Sequence, residues 1–153
     1  MTDSPEAGRT KNNAPVQIML VEDNPGDVHL LELSLRSRNI VFDLILYKDG
    51  AQAIRAISES HLAVPDLILV DLNLPRRDGF DVLNVVRREP RLVGVPVGVL
   101  TASDTSKDRQ FAALMEAARY IHKPQNLKEY IDEVGRAVKE LLALSPRRKM
   151  TPS

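Results

Sequence analysis

The chain has 153 residues, enough for one domain, and its 21 Lys+Arg against 21 Asp+Glu leave no formal net charge. Its 43% hydrophobic and 27% charged residues suffice to build a core, while neutrality and a pI of 6.8 argue against nucleic acid as a partner, which would require a basic face. The absence of cysteine excludes disulfides, thiolate metal sites and a cysteine nucleophile, and fits a reducing compartment.

Residues 1–15, MTDSPEAGRTKNNAP, have no apolar periodicity and are expected to form a flexible arm. The first strand is predicted over Gln17–Val21. Asn24-Pro25 then opens a helix that carries Val28, Leu30, Leu31, Leu33 and Leu35. A second strand is expected over Val41–Leu46, followed by a helix with Ala51, Ala53, Ile54 and Ile57. The third strand is Leu67–Val70, and its helix carries Phe80, Val82, Leu83, Val85 and Val86. The fourth strand is Val97–Leu100, and a fourth helix is read from Phe111, Leu114, Met115 and Ala118. The brief Tyr120-Ile121 makes the fifth strand. A long fifth helix carries Leu127, Tyr130, Ile131, Val134, Val138, Leu141 and Leu142. Tyr130, Leu142 and Leu144 exceed what one buried face needs and suggest an apolar surface patch. From Ser145 the chain ends in a basic tail, SPRRKMTPS, read as a solvated end.

Near-continuous apolar strands alternating with helices require a parallel sheet covered on both faces. The fold class is therefore α/β, a doubly wound five-stranded parallel sheet of flavodoxin-like strand order 2-1-3-4-5. The domain is placed at residues 16–144. No apolar run reaches membrane-span length and the N-terminus carries no signal pattern, so a cytoplasmic location with no membrane partner is expected.

The chemistry sits where the strands end. The first run ends in Glu22-Asp23, the third in Asp71, the fourth in Thr101 and the fifth in His122-Lys123-Pro124. Ligands of open α/β sheets bind beyond the carboxyl ends of the strands, where the winding reverses, here between strands one and three. That rule gathers Glu22, Asp23 and Asp71. Three such carboxylates either take up protons or share a cation, and oxygen-only donors select a hard ion such as Mg²⁺. Thr101 and Lys123 suit a phosphoryl group carried on one carboxylate, with Asp71 as the nucleophile and the Asn73 backbone carbonyl returning to the metal. His29, His61 and His122 are too scattered for a zinc site and are expected to face solvent. Asp27 is read as a helix-start residue only.

VEDNPGD (Val21 to Asp27), LVDLNLPRRDGF (Leu69 to Phe80), VLTAS (Val99 to Ser103) and YIHKP (Tyr120 to Pro124) together resemble the response-regulator receiver domain of two-component signalling. The resemblance runs from about Val16 to Leu144. It implies that Asp71 accepts phosphate from a sensor histidine kinase. It further implies that Asp23 holds Mg²⁺ directly and Glu22 through water, that the Asn73 carbonyl completes the protein ligands, and that Thr101 and Lys123 contact the phosphoryl oxygens. Tyr120 would be the aromatic whose rotamer follows Thr101, and Pro75 and Gly79 match the turn after the acceptor. His122 stands where an apolar residue or Thr is more usual. Such a protein is no enzyme beyond assisting its own phosphorylation and dephosphorylation.

Only 30 residues follow Lys123, so no output domain is expected, and signalling would run through the receiver surface. VEDNPGD, DLNLPRRDGF and NLKEY look most like single-domain regulators paired with bacterial phytochrome kinases. A homodimer is expected through the fourth helix, fifth strand and fifth helix, using Phe111, Met115, Tyr120, Tyr130, Leu142 and Leu144 with Lys107, Asp108, Arg119 and Glu129. The alternatives are a general phosphorelay shuttle or chemotaxis-type regulator and, more remotely, a flavodoxin-like small-molecule binding domain. Against the last, the first turn is acidic where a phosphate loop would be Gly-rich.

Overall fold

A computed structural model describes residues 14–59, 62–74, 78–102 and 118–146. In chain order these form β1 (Val16–Val21), α1 (Pro25–Ser37), β2 (Phe42–Tyr47), α2 (Gly50–Ser58), β3 (Leu67–Asp71), α3 (Asp78–Arg88), a 3₁₀ turn (Pro90–Leu92), β4 (Val97–Thr101), β5 (Ala118–His122) and α4 (Leu127–Leu142). The predicted fourth helix, with Phe111, Leu114 and Met115, lies outside the described residues, as do His61, Pro75, Lys107, Asp108, Ser103, residues 1–13 and the tail from 147. The described α4 is the predicted fifth helix. Among the described residues no helix is long and apolar enough to cross a membrane.

The five strands are parallel in the order β2-β1-β3-β4-β5, as expected. Alternation along each strand divides the core in two. Met19, Val21, Ile68 and Val70 face α2 and α3 through Ala53, Ile57, Val82 and Leu83. Ile18, Leu20, Leu67 and Leu69 face α1 and α4 through Leu31, Leu35, Val134 and Val138. The central strands β3 and β4 are buried along their whole length, which is why their sequence reads as unbroken apolar runs.

Side-chain caps start three helices. Asn24 Oδ1 accepts from the backbone N–H of Gly26 at 2.7 Å and Asp27 at 3.3 Å, with Pro25 in the first turn. Asp49 caps α2 through Gln52 N at 2.8 Å, and Asn126 caps α4 through Glu129 N at 3.0 Å. At the far end of the sheet the buried Asp66 accepts from Gln17 N at 2.8 Å while its own N–H donates to Gln17 O at 2.7 Å. This acid serves β1–β3 registration and stands apart from the carboxyl ends of the strands.

Two expectations are corrected. Ala118, assigned to the fourth helix by its spacing, opens β5 and pairs with Val97, because ladder pairing with β4 decides the state of a residue that either pattern could claim. Tyr130 and Leu142 are core residues, 2% and 8% exposed. The apolar stripe of α4 is wide because the helix is covered both by the sheet and by α1; of the three residues read as a patch Leu144 stays exposed, as does Leu127 at the start of the helix, both at 55%.

The α1–α4 contact is close at Gly135. A Cβ there would lie 2.9 Å from Ser34 O and 3.2 Å from Arg38 Cγ. The neighbouring Arg38 guanidinium donates to Asp132 O and Oδ1, both at 2.8 Å. Gly135→Ala gains helix propensity but forces two helix backbones apart, so it should destabilise the domain by about 1–3 kcal/mol, measured by urea denaturation; a stabilised variant would contradict this packing.

Candidate functional site

The sheet ladder delivers the site residues. Beyond the last paired residues of the strands, Glu22 N donates to Tyr47 O at 3.0 Å, Leu72 N to Leu100 O at 2.8 Å and Lys123 N to Thr101 O at 2.9 Å. These bonds hold the residues that follow β1, β3 and β5 in register with their neighbours. Asp71 and Thr101 are themselves the last residues of β3 and β4. All predicted site residues thus stand at the carboxyl edge, on both sides of the β1–β3 crevice where the winding reverses.

Glu22, Asp23 and Asp71 each place a carboxylate oxygen within 4.8 Å of the others. Glu22 and Asp71 are buried, whereas Asp23 is exposed, so the cluster opens to solvent on the Asp23 side. Glu22 Oε2 accepts from Asn24 N at 3.2 Å. Asp71 Oδ1 accepts from Asn73 N at 2.8 Å. The Asn73 side chain reaches across to β4, where its Oδ1 accepts from Ala102 N at 2.9 Å. Gly79 in the first turn of α3 lets that helix rest against the end of β3, since a Cβ would stand 2.8 Å from Asp71 O. Thr101 is fully buried. Tyr120 is half-buried on β5, and His122 and His29 are exposed, the last two as expected.

Among the described residues one cation serves this cluster. Lys123 Nζ lies 2.9 Å from Asp27 Oδ2, 3.2 Å from Glu22 Oε1 and 3.2 Å from Asp71 Oδ2, and the lysine is only 6% exposed. Burial alone would favour the neutral amine, but the charges of Asp71 and Glu22 and the hydrogen bond to Asp27 outweigh it and raise the lysine above its ordinary value. Glu22 is pushed up to about 8, first by burial and then by its hydrogen bond with Asp71. The Asp71 charge adds to the rise and Lys123 opposes it. Burial likewise raises the Tyr130 phenol, which packs beneath the cluster. Asp27 is the residue that motif reading missed as a site member. No local pattern signalled it: Asp23 precedes the helix, and Asp27 meets Lys123 only through the packing of the first turn of α1 against the end of β5.

Hard oxygen donors, under-compensated and with one carboxylate reachable from solvent, fit a hard divalent cation; among the described residues the cluster contains no nitrogen or sulfur donor, which would suit a softer metal.

The pKa of Glu22 makes stability pH-dependent in buffer free of divalent cations. The unfolded chain titrates this group near 4.5 and the folded chain near 8, so the folded state holds the extra proton between them. Stability therefore falls as pH rises through that window and levels off above it. Glu22→Gln removes this loss, and urea denaturation at pH 5.5 and pH 8 should show the variant gaining relative to wild type at the higher pH by about 1–4 kcal/mol. A gain that is equal at both pH values, or a loss at pH 8, would contradict the assignment.

A model of the response regulator receiver domain matches residues 18–135. The chain is 35% identical over 123 residues to response regulator Rcp1 of Synechocystis sp., covering 78% of this chain and 84% of that protein. It is 36% identical over 118 residues to the DNA-binding response regulator MtrA of Mycolicibacterium smegmatis, of whose length it spans about half (48%). Among solved structures, the phosphorylated cyanobacterial phytochrome response regulator RcpA superposes with a TM-score of 0.74 at 30% identity, over 85% of this chain and 95% of that one. The Mn²⁺-bound form of Rcp1 gives 0.72 at 32% identity, over 82% and 93%. Fold, edge chemistry and matched span agree, and the chain belongs to the response regulator receiver domain family.

Proposed function

We propose that Asp71 accepts a phosphoryl group from a sensor histidine kinase, with Mg²⁺ held by Glu22, Asp23, Asp71 and the Asn73 backbone carbonyl. The observation that carries this reading is the convergence of three carboxylates and the Lys123 ammonium at the switch-point crevice, beside the buried Thr101. An Asp71 carboxylate oxygen attacks phosphorus as the P–N bond of the phosphohistidine breaks. The imidazole leaves neutral, because the phosphoimidazolium already carries a proton on its other nitrogen. No protein base is needed, so the work of the site is positioning and charge neutralisation. Mg²⁺ supplies Lewis-acid neutralisation of the phosphoryl oxygens. Asn73 N already donates to Asp71 Oδ1 and orients the carboxylate, while Lys123 and Thr101 offer an ammonium and a hydroxyl to the arriving oxygens.

The phosphoryl–Thr101 bond would favour one arrangement of the β4 end and of Tyr120, changing the surface around β5 and α4. Likeness to Rcp1 and to RcpA, a phytochrome response regulator, supports a phytochrome-type kinase as the donor. The receiver is assigned to residues 16–144, with a flexible arm at 1–15 and a basic tail at 145–153, although Ser145, expected to begin a solvated end, is buried, with its N–H on Leu142 O. Incubation with acetyl phosphate and Mg²⁺ should give an acid-stable, base-labile adduct of one phosphoryl group, lost on chelation of the metal before reaction and at least about 100-fold slower in Asp71→Asn. Uptake by Asp71→Asn at the wild-type rate would overturn the assignment. Phosphotransfer profiling across histidine kinases should rank a light-regulated phytochrome kinase first; preference for an unrelated kinase would remove the pathway and leave the Asp71 chemistry standing.

The homodimer reading keeps Tyr120, Glu129 and Leu144 as described contacts, without Tyr130 and Leu142, which are core. Arg119 is paired with Glu140 of its own chain, so its charge is available to a partner only at the cost of that exposed pair, which is small. Sedimentation equilibrium should show a concentration-dependent dimer weakened by Leu144→Glu, and a monomer mass at all concentrations with and without phosphodonor would refute it.

A further inference from the structure

Asp27 lies outside the group of carboxylates that could share a metal, which comprises Glu22, Asp23 and Asp71. Its Oδ2 nevertheless makes the shortest of the three ion pairs of Lys123, at 2.9 Å against 3.2 Å to Glu22 and 3.2 Å to Asp71. Two of the three acceptors of the ammonium are thus also members of the metal cluster. A divalent cation that takes Glu22 and Asp71 competes with Lys123 for the same carboxylates, and two cations at contact distance repel strongly in a partly dry site. Asp27 is the one acceptor of Lys123 that the metal does not need.

We propose that Asp27 is a positioning residue that seats the Lys123 ammonium, keeping it charge-paired while a divalent cation occupies Glu22, Asp23 and Asp71. Local structure suits the task. Asp27 is fixed in the first turn of α1, where Asn24 Oδ1 holds its backbone N–H, and its side chain is 29% exposed, so it is not a packing element of the core. Lys123 is anchored at the end of β5 by its own N–H to Thr101 O, which leaves the ammonium free to redistribute among its acceptors. Among the described residues, Lys123 without Asp27 has only metal donors to pair with, and the cation must displace it.

The inference rests on the reading of the three carboxylates as a Mg²⁺ site, and a double-mutant cycle separates the two. Mg²⁺ affinity is measured by isothermal titration calorimetry, and Mn²⁺ affinity by electron paramagnetic resonance, on the full chain as wild type, Asp27→Asn, Lys123→Met and the double variant. Asp27→Asn should weaken both ions by about 5- to 10-fold when Lys123 is present and by less than about 2-fold in the Lys123→Met background. Asp27→Glu, which restores the acceptor, should recover most of the loss. Equal weakening in both backgrounds would make Asp27 a through-space charge and overturn the seat, as would no weakening at all. A wild-type chain that binds neither ion would instead overturn the metal site itself and the seat with it. If Asp27→Asn does not fold, Asp27→Ser, a residue that a helix start tolerates, replaces it in both backgrounds, with the same expected and overturning results.

Discussion

Among the described residues a single ammonium holds three acids at the carboxyl edge of the sheet. Lys123 lies within 3.2 Å of Glu22, Asp27 and Asp71, and two of those carboxylates are almost wholly removed from water. Burying such a group without a partner costs several kcal/mol, of order the net stability of a small domain. The strand ends can therefore carry this chemistry only because β5 delivers a lysine to the end of β4 and β1. The charge remains under-compensated, as the raised Glu22 shows. An incompletely neutralised cluster of oxygens is a site that gains from a further cation.

The fold contributes rigidity where the chemistry needs it. Asp71 and Thr101 end the two strands that are buried throughout, with Val70 and Leu100 packed on opposite faces beneath them. Glu22 and Lys123 are tied by backbone bonds to the adjacent strands. Displacing any one of the four would break ladder bonds or open the core, so the crevice is preorganised by the same interactions that stabilise the sheet. The Asn73 carboxamide links the β3 end to the β4 end by accepting from Ala102 N.

Much of this architecture was legible because it depends on short-range pattern. Strand-length apolar runs separated by helical periods produced all five strands and the four described helices, with boundaries mostly one or two residues from those observed. The short fifth strand was read as two residues and has five, because an edge strand with Arg119 and His122 turned to solvent lacks the unbroken apolar signature. Ala118 was misassigned for the same reason. Tyr130 and Leu142 were misread as surface because helical periodicity reports the width of an apolar stripe and not what covers it; here α1 and the sheet cover it together.

The sequence by itself determined which residues stand at the strand ends, and hence that Glu22, Asp23, Asp71, Thr101 and Lys123 share one edge, since chain order and the right-handed crossover rule leave little choice of topology. It could not determine how the charges are shared. Asp27 belongs to the site only because α1 packs so that its first turn faces the end of β5, some 96 residues away in the chain, and no local pattern encodes that meeting. Likewise, the rise of Glu22 depends on how much water the assembled strands exclude and on which neighbour lies closest. Pairing and desolvation are properties of the packed edge, decided by contacts between segments distant in sequence.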